Sequence, residues 1–356
     1  MGSENKPAFI EIARILIIFL VVLLHSTNLA TSKYGNTATT NFISTATLFA
    51  VPLFFMVSAF LLAIQDRDPN YSVDIKKFWQ SRLHTLVLPF LVWNVIYMLV
   101  EKNLFDSPIV SFSTLFNLAT GYDQLFLIFV LLQCFVVYSL IANKFSEKLV
   151  RNCLILFALT SIAFYGLSSY LLWTHVLHGS LWYGKLIIPW GIFFFWGIWL
   201  GYNRTGLERV SQYRFYSLFA AIIALIPYLL SHSFQLYAFG GIYVAYFVIS
   251  ALPFQFLAAS ALLGFLYHWE PSIQSNKRAM AVASWGKYVF AVFVSYLAFL
   301  YYFNQGWTLV FPNAGAISQI TAETLFTFFI TFVFVFVCSK PRLSPLNRVL
   351  FGGRGK

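Results

Sequence analysis

The sequence has few charged residues and very little cysteine. Asp, Glu, Lys and Arg make up 10% of its 356 residues, whereas a soluble domain carries about a quarter. One globular core could not bury the apolar excess, because 60% of the residues are hydrophobic. The cysteines Cys134, Cys153 and Cys338 lie far apart, without metal-ligand or disulfide spacing. We therefore expect neither a soluble fold nor a metal site.

The N-terminal segment also lacks the features of a cleaved leader. MGSENKPA is short and mixed in charge, and no small-x-small cleavage site follows the first apolar run. We expect this run to be retained as a membrane span.

Apolar runs of about 20 residues recur along the chain, separated by short polar segments. This pattern is typical of polytopic membrane proteins. We predict an all-α helical bundle of about ten transmembrane helices, forming a single membrane domain over residues 1–356. The predicted spans are 8–29, 46–64, 83–100, 124–142, 153–170, 186–202, 215–231, 241–266, 287–304 and 319–338.

The net charge of +11 is explained by the positions of the basic residues rather than by nucleic acid. If the N-terminus is cytosolic, all but three of the 23 Lys and Arg residues lie on the inner side. The exceptions are Lys33, Lys102 and Lys185. Such an excess is what the positive-inside rule expects. We predict that both termini are cytoplasmic, that membrane lipids surround the bundle, and that no nucleic acid binds.

The first span carries ionisable groups, which are costly in a membrane and are functional candidates by default. Arg14 and His25 are eleven residues apart, so they share one helical face about 16 Å apart along the axis. Glu11 is three residues before Arg14 and can pair with it. Asn28 lies about one turn beyond His25 on that face. The alternative for His25 and Asn28 is interhelical hydrogen-bond packing.

These residue types indicate a particular chemistry. An imidazole in a low-dielectric cavity stays neutral and can accept a proton, as a general base must. A guanidinium nearer the cytosol offers a multidentate clamp for phosphate or carboxylate. Together, Arg14 and His25 predict an anionic cytosolic ligand and a proton-transfer step.

Other polar residues carry weaker signals. Glu323, one turn into the last span, either orients a basic group or sugar hydroxyl, or snorkels at the outer edge. Arg82 and Lys77 precede the third span and are either a topology signal or part of an anion site. Asp123, at the head of the fourth span, is interpreted as an N-cap.

In this order, these residues resemble those of the membrane-bound acyltransferase family 3. The resemblance rests on Arg-x10-His in the first span, VPLFFMVSAFLL (51–62), Arg82 leading into LPF, GYDQLFLIFVLLQCFVVYSL (121–140) and IIPWGIFFFWGIWLGYNR (187–204). Within this family, the sequence is similar to the bacterial members that act on poly-N-acetylglucosamine adhesin or enterobacterial common antigen.

The sequence departs from the family pattern in four places. These are Ala59 for a usual Gly, Thr85 for a second Arg, Asp123 and Leu125 for a His and a Trp, and SWGKYVFAVFVSY (284–296), which has no His. We therefore expect His25 to carry the proton chemistry alone.

The resemblance implies transfer of an acyl group, with acetyl expected, from acyl-CoA to a hydroxyl of a cell-surface polysaccharide or its lipid-linked precursor. Acyl-CoA would be a co-substrate, with no bound cofactor, and the protein would lie in the bacterial cell membrane. Arg14, with Arg82 and Lys77, would hold the CoA phosphates, and His25 would deprotonate the hydroxyl. A glycan synthase or export complex is the expected protein partner. Glu11, Asn28 and Glu323 would be supporting polar groups.

Two alternatives stay open. The first is a transporter or flippase of a polysaccharide or lipid-linked sugar, although the internal repeats common in transporters are not evident in the sequence. The second is a non-catalytic partner of a glycan synthase.

Overall fold

The structure is a computed structural model that describes residues 7–65, 73–105, 111–144, 146–174, 184–239 and 247–353. Within these ranges the regular structure is entirely helical. The prediction of an all-α polytopic bundle is confirmed. The helices are α1 (Ala8–Tyr34), α2 (Ala38–Thr47), α3 (Ala50–Gln65), α4 (Ile75–Arg82), α5 (Leu88–Phe105), α6 (Phe112–Thr120), α7 (Phe126–Ile141), α8 (Glu147–Trp173), α9 (Gly191–Tyr202), α10 (Arg204–Gln212), α11 (Arg214–Phe239), α12 (Ala251–His268), α13 (Glu270–Ser275), α14 (Lys277–Ala283), α15 (Val289–Val310), α16 (Ala316–Cys338) and α17 (Ser344–Phe351).

Nine helical segments in the described part of the chain are long and apolar enough to cross a membrane. They are Ala8–Tyr34, Ala38–Ile64, Ile75–Asn103, Asp123–Lys144, Glu147–Trp173, Arg214–Ser231, Ala251–His268, Lys277–Val310 and Ala316–Cys338. The predicted span 186–202 coincides with α9, which has only 12 residues. Residues 241–246, at the start of the predicted span 241–266, lie outside the described residues.

The chain divides into two compact units. Unit 1 comprises Met1–Tyr71 and Ile141–Lys287, and unit 2 comprises Ser72–Leu140 and Tyr288–Lys356. Unit 1 therefore contains α1–α3 and α8–α14, and unit 2 contains α4–α7 and α15–α17. The single domain over 1–356 and the cytoplasmic position of both termini stay predictions.

In unit 1, α1 is surrounded by other helices. It packs against α2, α3, α12, α13 and α14. The neighbouring pair α3 and α9 approach closely because Gly197 lies against the Met56 backbone, where an added Cβ would come within 2.8 Å of the Met56 carbonyl carbon. Small residues allow such close packing between membrane helices. The ionisable groups of α1 are thus carried by a helix with protein neighbours on several sides.

In unit 2, α15 packs against both α5 and α16. Tyr97 on α5 donates its hydroxyl to the Val294 carbonyl of α15 over 2.8 Å. The rings of Phe303 and Phe326 stack with centroids 4.2 Å apart, which joins α15 to α16. These contacts hold α5, α15 and α16 together.

Candidate functional site

The N-terminal end of α1 holds an ion pair. The Arg14 Nη1 group donates to Glu11 Oε1 over 3.0 Å and to Glu11 Oε2 over 2.8 Å. Their side chains are 19% and 13% exposed, so both charges are partly removed from water. The predicted pairing of these two residues is confirmed. Nε and Nη2 of Arg14 have no protein partner in the ranges that the structure describes, which leaves donors for an anion.

A glycine lies against the Glu11 carboxylate. A Cβ added at Gly286 would fall 2.7 Å from Glu11 Cβ and would also overlap Oε2. Only a residue without a side chain fits there while the Glu11–Arg14 pair keeps its present geometry. This contact could not be predicted from the sequence, because nothing in the spacing links residues 11 and 286.

Glu270 caps α1 from a distant part of the chain. Its Oε1 accepts from the Ala8 backbone N–H over 3.0 Å, and its Oε2 accepts from Phe9 N–H over 2.6 Å. Pro7 precedes the helix and provides no side-chain cap. A carboxylate here satisfies two of the unpaired N–H groups of the first turn and favours the positive end of the helix dipole. Sequence reasoning missed this residue.

Further along α1, His25 and Asn28 are both partly buried. Asn28 Oδ1 and Ser26 Oγ are buried and have no hydrogen-bond partner among the residues described. Buried polar atoms are nearly always paired with protein, water or ligand. The residues next to His25 in the helix therefore carry buried polar atoms that no other described part of the protein hydrogen-bonds. Ideal helix geometry places His25 on the face of Arg14, about 16 Å away along the axis.

In unit 2, the predicted cations Arg82 and Lys77 lie on α4 but differ in their surroundings. The Arg82 guanidinium lies over the rings of Phe78 and Phe135, at 5.0 and 5.2 Å from their centroids. Lys77 is 80% exposed and pairs with Asp74 over 3.3 Å. Five residues correspond to about 140° of helical rotation, so the two cations do not share a face of α4.

The helix changes register directly after Arg82. A π-helical turn, Leu83–Val87, joins α4 to α5. Such turns are frequent at functional sites. Thr85, which stands where the family has a second Arg, donates its hydroxyl to the Ser81 carbonyl over 2.8 Å. The Thr85 hydroxyl therefore bonds to the backbone of its own helical segment.

Asp74 begins α4 as its N-cap. One carboxylate oxygen accepts from the Lys77 backbone N–H over 3.1 Å. This hydrogen bond is the main cause that lowers the pKa of Asp74, and the Lys77 ammonium acts in the same direction. Asp74 thus contacts Lys77 twice, through its backbone N–H and through its ammonium group.

Glu323 on α16 is fully buried rather than at an edge. Its Oε1 accepts from Asn304 Nδ2 over 2.6 Å and from Gln319 Nε2 over 2.7 Å. The interpretation of Glu323 as a snorkelling residue is therefore wrong, because its carboxylate is held by two amides inside unit 2.

Asp123 is not the helix cap that the sequence predicted. A short 3-10 helix, Asp123–Leu125, precedes α7, and its N-cap residue is Tyr122. Asp123 has a φ of 39°, and its carboxylate accepts a hydrogen bond from the Tyr301 hydroxyl over 2.8 Å. Burial raises the pKa of Tyr122, and the carboxylates of Glu101 and Asp123 act in the same direction. The carboxylate of Asp123 thus contacts α15 through Tyr301.

Unit 2 also contains an apolar cavity of about 810 Å³. It lies among α5, α15 and α16, and its walls are largely aromatic, including Trp93, Tyr302, Trp307 and Phe326. None of the predicted site residues lines it. Its chemistry suits a hydrocarbon ligand rather than a charged or hydroxylated one.

Membrane-length apolar helices carrying partly buried ionisable groups define a multi-pass membrane protein. The model of the acyltransferase 3 family, described as an acyltransferase domain, matches residues 8–340. The chain belongs to this family of membrane acyltransferases, and the predicted family is confirmed.

Several curated proteins of Staphylococcus aureus are similar to the chain. Proteins of strains MSSA476 and MW2, each named "Probable poly-beta-1,6-N-acetyl-D-glucosamine export protein", are 23% identical over 291 residues, covering 78% of this chain and 79% of theirs. A protein of strain Mu50 with the same name is 24% identical over 272 residues, covering 72% of this chain and 73% of its own. No solved structure gives a significant match.

Proposed function

We propose that this membrane acyltransferase transfers an acyl group, expected to be acetyl, from acyl-CoA to a hydroxyl of a cell-surface polysaccharide or its lipid-linked precursor. Family membership supports the transfer chemistry. The names of the similar proteins, which refer to a polymer of N-acetylglucosamine, support a glycan as acceptor. Their bacterial source supports the bacterial cell membrane as the location.

The observation that carries the proposal is the shared face of Arg14 and His25 on α1. Arg14 keeps unused N–H donors beside its ion pair with Glu11. Charge-assisted bonds from a guanidinium suit phosphate. A separation of about 16 Å along the helix fits a donor whose anionic end and thioester lie at opposite ends of a long arm. We assign Arg14 to the phosphates and His25 to the reacting end.

The proposed chemistry needs one proton acceptor. Neutral His25 takes the proton of the acceptor hydroxyl while its oxygen attacks the thioester carbonyl carbon. The tetrahedral intermediate then collapses, the carbon–sulfur bond breaks, and CoA leaves as thiolate. The imidazolium returns its proton to that thiolate. The products are an acyl ester of the sugar and free CoA, with His25 neutral again.

The remaining predicted residues receive supporting roles. Glu11 holds the Arg14 guanidinium, and Asn28 offers an acceptor oxygen one turn from His25. Arg82 and Lys77 are proposed as further contacts for the anionic donor on the strength of the family resemblance. Glu323 is proposed as an acceptor-side carboxylate. A glycan synthase or export complex is the proposed protein partner.

An assay with the purified full chain in lipid nanodiscs tests the enzyme. Radiolabelled acetyl-CoA and an oligomer of β-1,6-linked N-acetylglucosamine are the substrates, and label in the oligomer is the readout. Loss of a general base costs about 10²–10⁴-fold in rate, so His25→Ala should show that loss. His268→Ala removes an exposed imidazole of the same unit and should leave the rate unchanged. Equal rates for both variants would refute the role of His25.

Export without acyl transfer is the second candidate, because the similar proteins are named as export proteins. Proteoliposomes loaded with the labelled oligomer distinguish the two functions. Efflux that needs no acetyl-CoA and persists in His25→Ala would favour export. Labelling that requires acetyl-CoA and His25, with no efflux, would favour the enzyme.

A further inference from the structure

One face of α16 carries five buried polar side chains. Gln319, Glu323, Thr324, Thr327 and Thr331 are each at most 3% exposed. At about 100° per residue they fall within an arc of about 140°. We call this set the α16 polar face. A membrane-spanning helix with a buried polar face needs hydrogen-bond partners for it, because lipid supplies none.

Two of these threonines differ from most of the helical threonines that the structure describes. A helical Thr normally satisfies its hydroxyl by donating to the carbonyl four residues earlier. The threonines that do so here are Thr27, Thr31, Thr45, Thr47, Thr85, Thr120, Thr160, Thr321 and Thr331. Thr324 and Thr327 do not, and their buried Oγ1 atoms have no partner anywhere in the described ranges.

A third buried atom on the α16 polar face, Gln319 Oε1, also lacks a hydrogen-bond partner among the described residues. Gln319 uses its Nε2 to hold Glu323, while its buried Oε1 has no partner among the described side chains and backbone. The first and last of these three residues are eight positions apart, which is about 12 Å of helix. Leaving buried polar atoms unpaired is costly. Such a row therefore indicates a ligand that both donates and accepts hydrogen bonds.

We propose that Gln319, Thr324 and Thr327, the members of the α16 polar face with unpaired atoms, bind the hydroxyl groups of the sugar acceptor. A sugar hydroxyl can donate to Gln319 Oε1 and can donate to or accept from the hydroxyls of Thr324 and Thr327. The Glu323 carboxylate beside them disfavours an anion such as the CoA phosphates, and the unpaired polar atoms disfavour an acyl chain. The choice of a sugar as the ligand rests on the proposed function, whereas the need for a polar ligand rests on unit 2 alone.

Valine substitutions test the site because Val keeps the shape of Thr and replaces its hydroxyl with a methyl group. The full chain in nanodiscs is titrated with the β-1,6-linked N-acetylglucosamine oligomer in the absence of any acyl donor. The double variant Thr324→Val/Thr327→Val should weaken binding about tenfold or more, from two lost hydrogen bonds. Thr331→Val is the matched control, because that hydroxyl is buried on the same helix but bonds to the Thr327 carbonyl. It should bind the oligomer within twofold of the unaltered protein.

A thermal unfolding measurement without ligand separates binding from structure. Removing unpaired hydroxyls should leave the double variant at least as stable as the unaltered protein, whereas Thr331→Val loses a hydrogen bond and should not gain stability. Unchanged oligomer binding in the double variant, or no oligomer binding by the unaltered protein, would overturn the proposal. The proposed acyl transfer fails separately if the oligomer binds in this manner and never acquires label.

Discussion

Both α1 and α16 carry polar side chains within membrane-length helices, but the two helices differ in how these side chains are paired. On α1 the charges lie in the first two turns, and Glu11, Arg14 and the capping Glu270 hold one another or the helix end. On α16 the groups are mostly neutral and buried, and the hydroxyls of Thr324 and Thr327 are left unused. Charges kept at a helix end suit an anionic donor. Unused neutral groups within a helix suit a hydroxylated acceptor.

Among the substitutions that test this comparison, the largest effect should come from breaking the ion pair of α1. Arg14→Ala removes charge-assisted contacts worth about 1.5–3 kcal/mol each, so the KM for acetyl-CoA should rise about 10–100-fold. Removing one partner of a partly buried pair should also lower the free energy of unfolding by about 1–3 kcal/mol. Steady-state kinetics and thermal unfolding of the same preparation measure the two effects.

The double variant Glu11→Ala/Arg14→Ala separates these effects. Because neither charge is left behind, it should recover much of the stability lost in Arg14→Ala. The KM for acetyl-CoA should stay high, since the anion contact is still missing. Recovery of KM together with stability would assign Arg14 a purely structural role.

What could be predicted about α1 depended on local spacing. Arg14, His25 and Glu11 belong to one continuous helix, and helical periodicity alone places them on a face or within pairing distance. Glu270 and Gly286 also hold this helix, but they come from elements more than 250 residues away. No local pattern connects such positions, so their roles required the tertiary structure.

For α16 the sequence indicated less. Glu323 stood out as an acid in an apolar run, yet its burial depends on Asn304 from the neighbouring helix. Thr327 and Thr331 differ in whether the hydroxyl has a hydrogen-bond partner, and nothing in the sequence distinguishes the two residues. Asp123 was misjudged for a related reason, because a carboxylate at a helix start predicts a cap unless a partner such as Tyr301 is known.

The next effect concerns the packing beneath Glu11. Gly286→Ala places a methyl group into Glu11 and should destabilise the protein by about 1–3 kcal/mol through overpacking, with a raised KM for acetyl-CoA. Gly166→Ala is the matched control, because a Cβ there meets nothing within 4 Å. Inside α8, that change should stabilise by about 0.5–1 kcal/mol. Thermal unfolding shows whether the two changes have opposite signs, and equal signs would contradict the packing argument.

A smaller effect is expected at the cap of α1. Glu270→Gln keeps the shape of the side chain and removes its charge beside the Ala8 and Phe9 amides. Loss of a charged group at a helix start costs about 0.3–1 kcal/mol. The unfolding free energy should fall by that amount, and the loss should shrink in high salt. A salt-independent loss would point to packing instead of helix-end electrostatics.

The smallest effect on the KM for acetyl-CoA should come from substituting Lys77. Comparing it with Arg82 tests whether exposure determines how much a cation contributes. Lys77 is 80% exposed and already pairs with Asp74, and exposed ion pairs contribute little. Lys77→Gln should therefore raise the KM for acetyl-CoA less than threefold, and raising the ionic strength should erase the difference. Arg82→Gln removes a cation held against two aromatic rings and should have the larger effect at every salt concentration. If Lys77→Gln weakened donor binding as strongly as Arg82→Gln, then exposure would not rank these two cations, and α4 would have to change conformation when the donor binds.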